Sequence, residues 1–335
     1  MLTFRCLREL NIELKDQKLL SMKKSEINPK TIGGKITSDY ALSLKAGFQK
    51  HFASQPFGVL ITPDTLRSVL NSSDKLTGIR FIYGLVPETG EFNVILSPCT
   101  HTGTPLNKNS KPIVSNSGYL NHNAEQYGIK ECARSMAHFV AHVHKLQNDW
   151  HFREISRGAF FGKDTLEALM TTEGVNSINF QLGLEGEILK PILSPLDKNN
   201  HLINDIYYDL GHVCPPATDC GEEGVGGGEC MATAAVHTLS DNKELNLYRK
   251  FRDEELIMDE QGRMLYELYY FISPLITATI EQKVNGIDLL NQLYYKDVVP
   301  FGQLVKAGRR AVAMNKLEKV FDELINEYEM ELAYF

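Results

Sequence analysis

No apolar run in this sequence approaches the roughly 18–20 residues that a membrane helix needs, so no membrane span is expected. Positive charge is also in short supply. Lys and Arg number 35 against 42 Asp and Glu, which gives a net charge of −7 and a pI near 5.8. Nucleic-acid binders normally carry a basic footprint, so nucleic acid is not an expected partner. The opening stretch MLTFRCLRELNIELKDQKLL is broken by charges every few residues. It has neither the continuous apolar stretch nor the small-residue cleavage site of a signal peptide, and a cytoplasmic location is the expectation. Several catalytic signatures are missing. There is no GxSxG, no dinucleotide fingerprint and no EF-hand loop. The glycine run Gly224–Gly228 lacks the Gly-Lys-Ser/Thr ending of a phosphate loop. What remains is the composition of a globular protein, 43% hydrophobic and 23% charged.

The first positive signal is an internal repeat, which takes precedence over other readings. GVLITPDTLRSVL from Gly58 aligns with GAFFGKDTLEALM from Gly158. Asp64-Thr65-Leu66 falls on Asp164-Thr165-Leu166 at an offset of 100. Ile79, Phe81, Gly84 and Leu85 fall on Ile178, Phe180, Gly183 and Leu184 at an offset of 99. Ile95-Leu96-Ser97-Pro98 falls on Ile192-Leu193-Ser194-Pro195 at an offset of 97. The small slips lie where loops tolerate length change.

Each copy reads as helix, strand, helix, strand, strand. Leu66, Val69 and Leu70 share one helix face, and Thr62-Pro63-Asp64 supplies a cap, a first-turn proline and an acid. GIRFIYGL alternates as a strand does, and PETG reads as the turn of a hairpin to FNVILSP. The expected fold is α+β: two such units about a pseudo-two-fold axis, followed by an all-helical C-terminal domain. The chain divides into a lead-in over 1–36, repeat one over 37–100 and a connecting loop over 101–129. Repeat two follows over 130–212, then a Cys/Gly-rich linker over 213–229 and helices over 230–335. Leu265, Leu268, Ile272 and Ile276 follow helical spacing, as do Leu317, Phe321, Leu324 and Tyr328. Pro274 is expected to kink or end its helix.

GGGECMATAAV from Gly226 resembles the bacterial CFI-box, whose motif reads approximately CFIATAAYG after a glycine-rich linker. LYRKFRDEELI from Leu247, Gly262-Arg263 and YYFISPLI from Tyr269 are similar to the rest of that box. Val236-His237 departs from its usual Tyr-Gly. The likeness spans about residues 226–280 and implies a C-terminal module carried by diverse bacterial proteins. GIRFIYGL more loosely resembles a strand of uncharacterised bacterial proteins. Neither resemblance names a substrate.

Two sets of residues carry candidate chemistry. Cys230 follows glycines at an expected helix start, where amide N–H groups and the helix dipole favour the thiolate. That position suits a nucleophile, with His212 as the upstream base, and equally a small buried residue packing the helix. His237 lies two turns along the same helix, too far for a direct hydrogen bond. His212, Cys214, Cys220 and Cys230 have the residue types of a structural zinc site, without paired C-x2-C spacing; free thiols and a local disulfide are the other readings. No further cofactor is expected. His138 and His142 share a helix face, but Phe139 stands where HExxH would place its glutamate. The chain is thus expected to act as a protein-interaction or assembly module with a protein partner, its C-terminal helices serving as a docking element. The alternative is a thiol enzyme built on Cys230.

Overall fold

The computed structural model describes residues 28–52, 55, 57–99, 119–146, 155–209, 211–214, 247–248, 250–281 and 283–333. A short strand β1 (Gly34–Ile36) precedes copy one. That copy consists of α1 (Ser38–Phe52), β2 (Gly58–Ile61), α2 (Pro63–Leu70), β3 (Gly78–Leu85) and β4 (Phe92–Cys99). Two short strands follow, β5 (Tyr119–Asn121) and β6 (Gln126–Tyr127), inside the stretch read from sequence as a connecting loop. Copy two repeats the order with α3 (Ile129–Leu146), β7 (Gly158–Gly162), α4 (Lys163–Met170), β8 (Ser177–Glu185) and β9 (Ile188–Leu196). Strands β10 (Tyr207–Asp209) and β11 (His212–Cys214) close this part.

Local chemistry fixes the short helices. Thr62 Oγ1 accepts from the amide of Thr65 at 3.1 Å, with Pro63 behind it at the helix start. Copy two has Gly162 at the cap, with no side-chain cap bond. The two hairpins differ in their turns: β8 and β9 are joined by Gly186-Glu187, with Gly186 at φ +59°. Copy one uses a longer connection closed by Val86 N donating to Glu91 O at 2.8 Å.

All strand pairings are antiparallel, in two sheets ordered β1-β10-β9-β8-β2 and β11-β7-β3-β4-β5-β6. The copies therefore exchange their first strands: β2 pairs with β8, and β7 pairs with β3. The registers are equivalent. Val59 lies opposite Phe180 as Ala159 lies opposite Phe81, and Ile61 opposite Ile178 as Phe161 opposite Ile79. Even the approach to each strand is matched, with Phe57 O accepting from Leu182 N at 3.0 Å and Arg157 O from Tyr83 N at 2.9 Å. The long helices cross over too, α1 lying on β8 and α3 on β3. A Cβ at Gly84 would collide with Ser135 of α3, and one at Gly183 would come 2.8 Å from the Leu44 Cβ of α1. Glycine at those matched positions lets each helix settle against its sheet.

The inner faces of the two sheets share one core, in which Phe81, Tyr83, Leu96, Phe161, Phe180 and Leu193 are all buried. Burying one apolar sheet face on another is what stabilises such units.

The described C-terminal part includes a π-helical turn, Phe251–Glu255, and a 3-10 turn, Leu256–Met258. It continues as α5 (Glu260–Glu281), α6 (Gly286–Leu293), a second π-helical turn, α7 (Val299–Lys306) and α8 (Arg310–Ala333). Helix α5 passes through Pro274 without ending. Ile272 and Ile276, one on each side of the proline, are buried in the helical core, and that packing outweighs one lost amide bond. Gly262 is explained by crowding: a Cβ there would collide with the backbone of Leu256. Asp259 caps α5, accepting from Gly262 N at 2.8 Å and from Arg310 at 2.7 Å.

These helices dock on α3. Leu268, Ile272 and Ile276 join Cys132, Ala133 and Met136 in one buried cluster. Arg157 grips Glu267 with two bonds of 2.6 and 3.0 Å, and Lys130 pairs with Asp322. On the matched helix α1 the positions of Ala133 and Met136 hold Leu42, 55% exposed, and Lys45.

Candidate functional site: a cleft around the first strand of copy one

Two cavities of about 600 and 700 Å³ meet along Gln55, Phe57, Gly58 and Val59. The smaller lies between the C-terminal half of α1 and β2, and reaches Leu60, Asn179 and Gln181. The larger lies towards the start of β4 and the turn between β5 and β6, and reaches Glu91, Asn121, His122, Glu125 and Tyr127.

The floor is aromatic because α1 ends on Phe48 and Phe52, one turn apart, with centroids 4.8 Å from each other. Phe57 packs edge-on to Phe48 at 5.7 Å and lies 5.2 Å from Phe92 and 5.6 Å from Phe139. His142 meets Phe57 at 5.9 Å and places Nε2 3.2 Å from Gln55 Oε1. Burial, then the charge of Lys145, holds His142 below its ordinary pKa. Copy two has Arg157 at the position of Phe57, so the aromatic floor belongs to copy one alone.

The opposite wall is polar and preorganised. Asn121 Oδ1 accepts from the amides of Asn123 and Glu125, both at 2.9 Å, and its Nδ2 donates to Glu125 Oε2 at 2.6 Å. That turn holds Ala124 at φ +64°, a conformation that costs a Cβ-bearing residue free energy. His122 Nδ1 sits 3.1 Å from Asn93 Oδ1, on a side chain that is itself fully buried. Burial lowers the His122 pKa while Glu125 and Glu91 pull it back up. Tyr127 is raised, first by burial and then by Glu125, with Asn121 and Asn93 opposing.

The corresponding place in copy two is closed by charge. Lys190 stands where copy one has Asn93, and Asp209 where it has Asn121. Lys190 Nζ lies 3.0 Å from Glu185 and 3.8 Å from Asp209, while Tyr40 donates to Glu185 at 2.7 Å. Copy one keeps neutral amides there, beside an open cavity.

Of the residues singled out from sequence, only His142 meets this cleft among those described. His212 and Cys214 belong to β11, their backbones opposite Phe160 and Gly158. Cys220, Cys230 and His237 lie outside the described residues, as do the side chains of His212 and Cys214. The helical histidines part company: His138 Nε2 is 3.0 Å from Glu260 Oε1, and His142 turns to Gln55. Among the described residues no group of three or more His, Cys, Asp or Glu is placed to hold a metal. Phe251 of the FRD element is buried and packs edge-on to Phe301 at 5.3 Å. The cleft itself went unread in the sequence. Its signal was the NHNAE turn after Tyr119-Leu120, which is rich in turn-forming Asn and ends on an acid.

No family model, curated protein or solved structure matches this chain.

Proposed function

We propose that this protein acts by binding another protein, and that the cleft around Gln55–Val59 is its docking surface. The supporting observation is the confluence of two cavities over a buried aromatic floor, facing a wall of preorganised amides, a histidine and two carboxylates. An apolar centre with a polar rim is the make-up of a site for a protein segment. The C-terminal helices then act as a buttress: they pack on α3 through Cys132, Ala133 and Met136, and Phe139 of α3 packs behind Phe57 of the floor.

A photo-crosslinking residue placed at Gln55, at His122 or, as a control, at exposed Lys319 of α8 tests this in the full chain within its native lysate. Adducts to the same protein from Gln55 and His122, absent from Lys319, are expected. Adducts confined to Lys319 would move the docking surface to the helices and overturn the reading.

A further inference from the structure

Strand β7 of copy two lies between two neighbours: β3 on one side and β11 on the other. Its counterpart β2 has β8 on one side and ends its sheet on the other. Among the described residues, copy one therefore lacks the strand that β11 supplies to copy two. From this we infer that the open edge of β2 takes an extended antiparallel strand from a partner protein, which carries an apolar residue opposite Val59 and basic residues after the position opposite Gly58. This deepens the reading of the cleft as a protein-binding surface and rests on it.

The backbone alternation says which groups are available. Phe57 O is spent on Leu182 N, so Phe57 and Val59 point their amides and carbonyls at β8, while those of Gly58 and Leu60 point the other way. In copy two the matched residues Gly158 and Phe160 lie opposite Cys214 and His212. The same register on β2 sets three successive residues of an added strand opposite Leu60, Val59 and Gly58. Leu60 is 46% exposed, and among the described residues no strand pairs with this side of β2. Main-chain bonds to a free sheet edge, with side-chain pockets alongside, constitute strand addition.

Direction and chemistry follow from that register. Val59 is turned into the core, and a residue opposite it shares its face, as Val213 is placed opposite Ala159. The added strand runs towards Gly58 and then onward past Phe57, into the cavity that bears Glu91, His122 and Glu125. Two exposed carboxylates at the end of the path complement Lys or Arg. The alternative of a second copy adding its own β2 meets like charge. Beyond Ile61 an antiparallel β2 continues as Thr62-Pro63-Asp64, which brings an acid towards Glu91 and Glu125 and the start of a helix into the groove.

The test uses the full chain and a fluorescent peptide, Gly-His-Val-Ser-Lys-Lys, which follows the residue types of β11 and ends on two bases. Three peptide controls accompany it: two glutamates in place of the lysines, an N-methyl group on the serine amide, and aspartate in place of valine. Binding measured by anisotropy should weaken at least tenfold with each control. The Leu60→Pro variant removes a donor from the open side while leaving the β8 ladder, a change that edge strands tolerate; it should also weaken binding at least tenfold with an unchanged far-UV spectrum. Should that variant fail to fold, the N-methyl peptide carries the same question on the ligand side. Equal affinity for the lysine and N-methyl peptides, or no binding of the lysine peptide at millimolar concentration, overturns strand addition. A dimer in light scattering that Leu60→Pro dissolves overturns it in favour of a second copy. Crosslinks from Gln55 without peptide binding would leave the cleft as a docking surface and remove the strand mode alone.

Discussion

Phe81 and Phe180 stack on each other with centroids 5.7 Å apart and planes 15° from parallel. They are the same residue of the two copies, so the pseudo-two-fold axis relating the copies passes through this pair. Each also lies opposite the first strand of the other copy, Phe81 against Ala159 and Phe180 against Val59. The pair sits where the exchange of strands is locked. Phe81→Ala and Phe180→Ala should each cost about 3–5 kcal/mol, and the double variant should reveal a coupling of about 0.5–1.5 kcal/mol beyond lost area. Urea unfolding of the four proteins measures this, and strict additivity would mean that the stack contributes no more than its burial.

The repeat was legible because duplication leaves residue identities at nearly constant offsets, and Asp64-Thr65-Leu66 against Asp164-Thr165-Leu166 needs no structure to be seen. The exchange was not legible. A strand of four residues such as β2 carries an apolar pattern and no address, and its pairing with β8 spans more than a hundred positions. Gly84 and Gly183 were visible as matched glycines, but only the crossing helices explain them. The site escaped for a related reason. Asn93, His122 and Phe57 come from three separate segments, and a turn rich in Asn reads as a turn whether or not it walls a cavity. Pro274 does not end its helix, because helix-ending is a local rule and the buried neighbours on both sides hold the turn.

Arg157 and Glu267 tie the helical part to copy two through a two-pronged pair, in which the Glu267 side chain is only 3% exposed. Removing the arginine strands a buried carboxylate, so Arg157→Ala should cost about 3–5 kcal/mol. The paired change Arg157→Met with Glu267→Met should recover most of that loss, because replacing both charges leaves none unpaired. Denaturant unfolding with trypsin digestion as a second readout checks the comparison. A double variant as unstable as Arg157→Ala would show that the bonds, and not the stranded charge, matter.

His122 lines the cleft and His142 packs against its Phe57 and Gln55, and both are held below the ordinary value of 6.5, burial being the first cause in each case. A histidine whose pKa is lower in the folded than in the unfolded protein binds its proton more readily once unfolded. Its contribution to stability is therefore present above pH 6.5 and is lost as pH falls from there towards the folded value. His122→Gln and His142→Gln should each flatten the decline of stability on that acidic side while leaving the neutral side little changed. Thermal melts across the range decide this, and a decline of unaltered steepness in the double variant would locate the acid sensitivity elsewhere.

Thiol reactivity separates the binding module from the thiol enzyme. Cys99 and Cys132 are fully buried, and burial raises both thiols, Cys132 most strongly. A raised pKa leaves less thiolate at any given pH, and thiolate is the form that reacts. In the folded protein both should stay unmodified by iodoacetamide at about pH 6.5 and at about pH 8, where a free thiol of pKa about 8.5 still gives measurable rates. In urea both should label. Cys230 supplies the contrast. A binding module expects it to react no faster than a free thiol, whereas a nucleophile at a helix start would label selectively at about pH 6.5, roughly two units below the free-thiol pKa. Mass spectrometry of the alkylated peptides reports every cysteine in one experiment, and a chelator arm adds the zinc question. Faster labelling of Cys214, Cys220 and Cys230 together after chelation would assign them to a metal, because coordinated thiolates are shielded until the metal leaves. Selective labelling of Cys230 without chelator would instead make it the nucleophile and overturn the reading of this protein as a binding module alone.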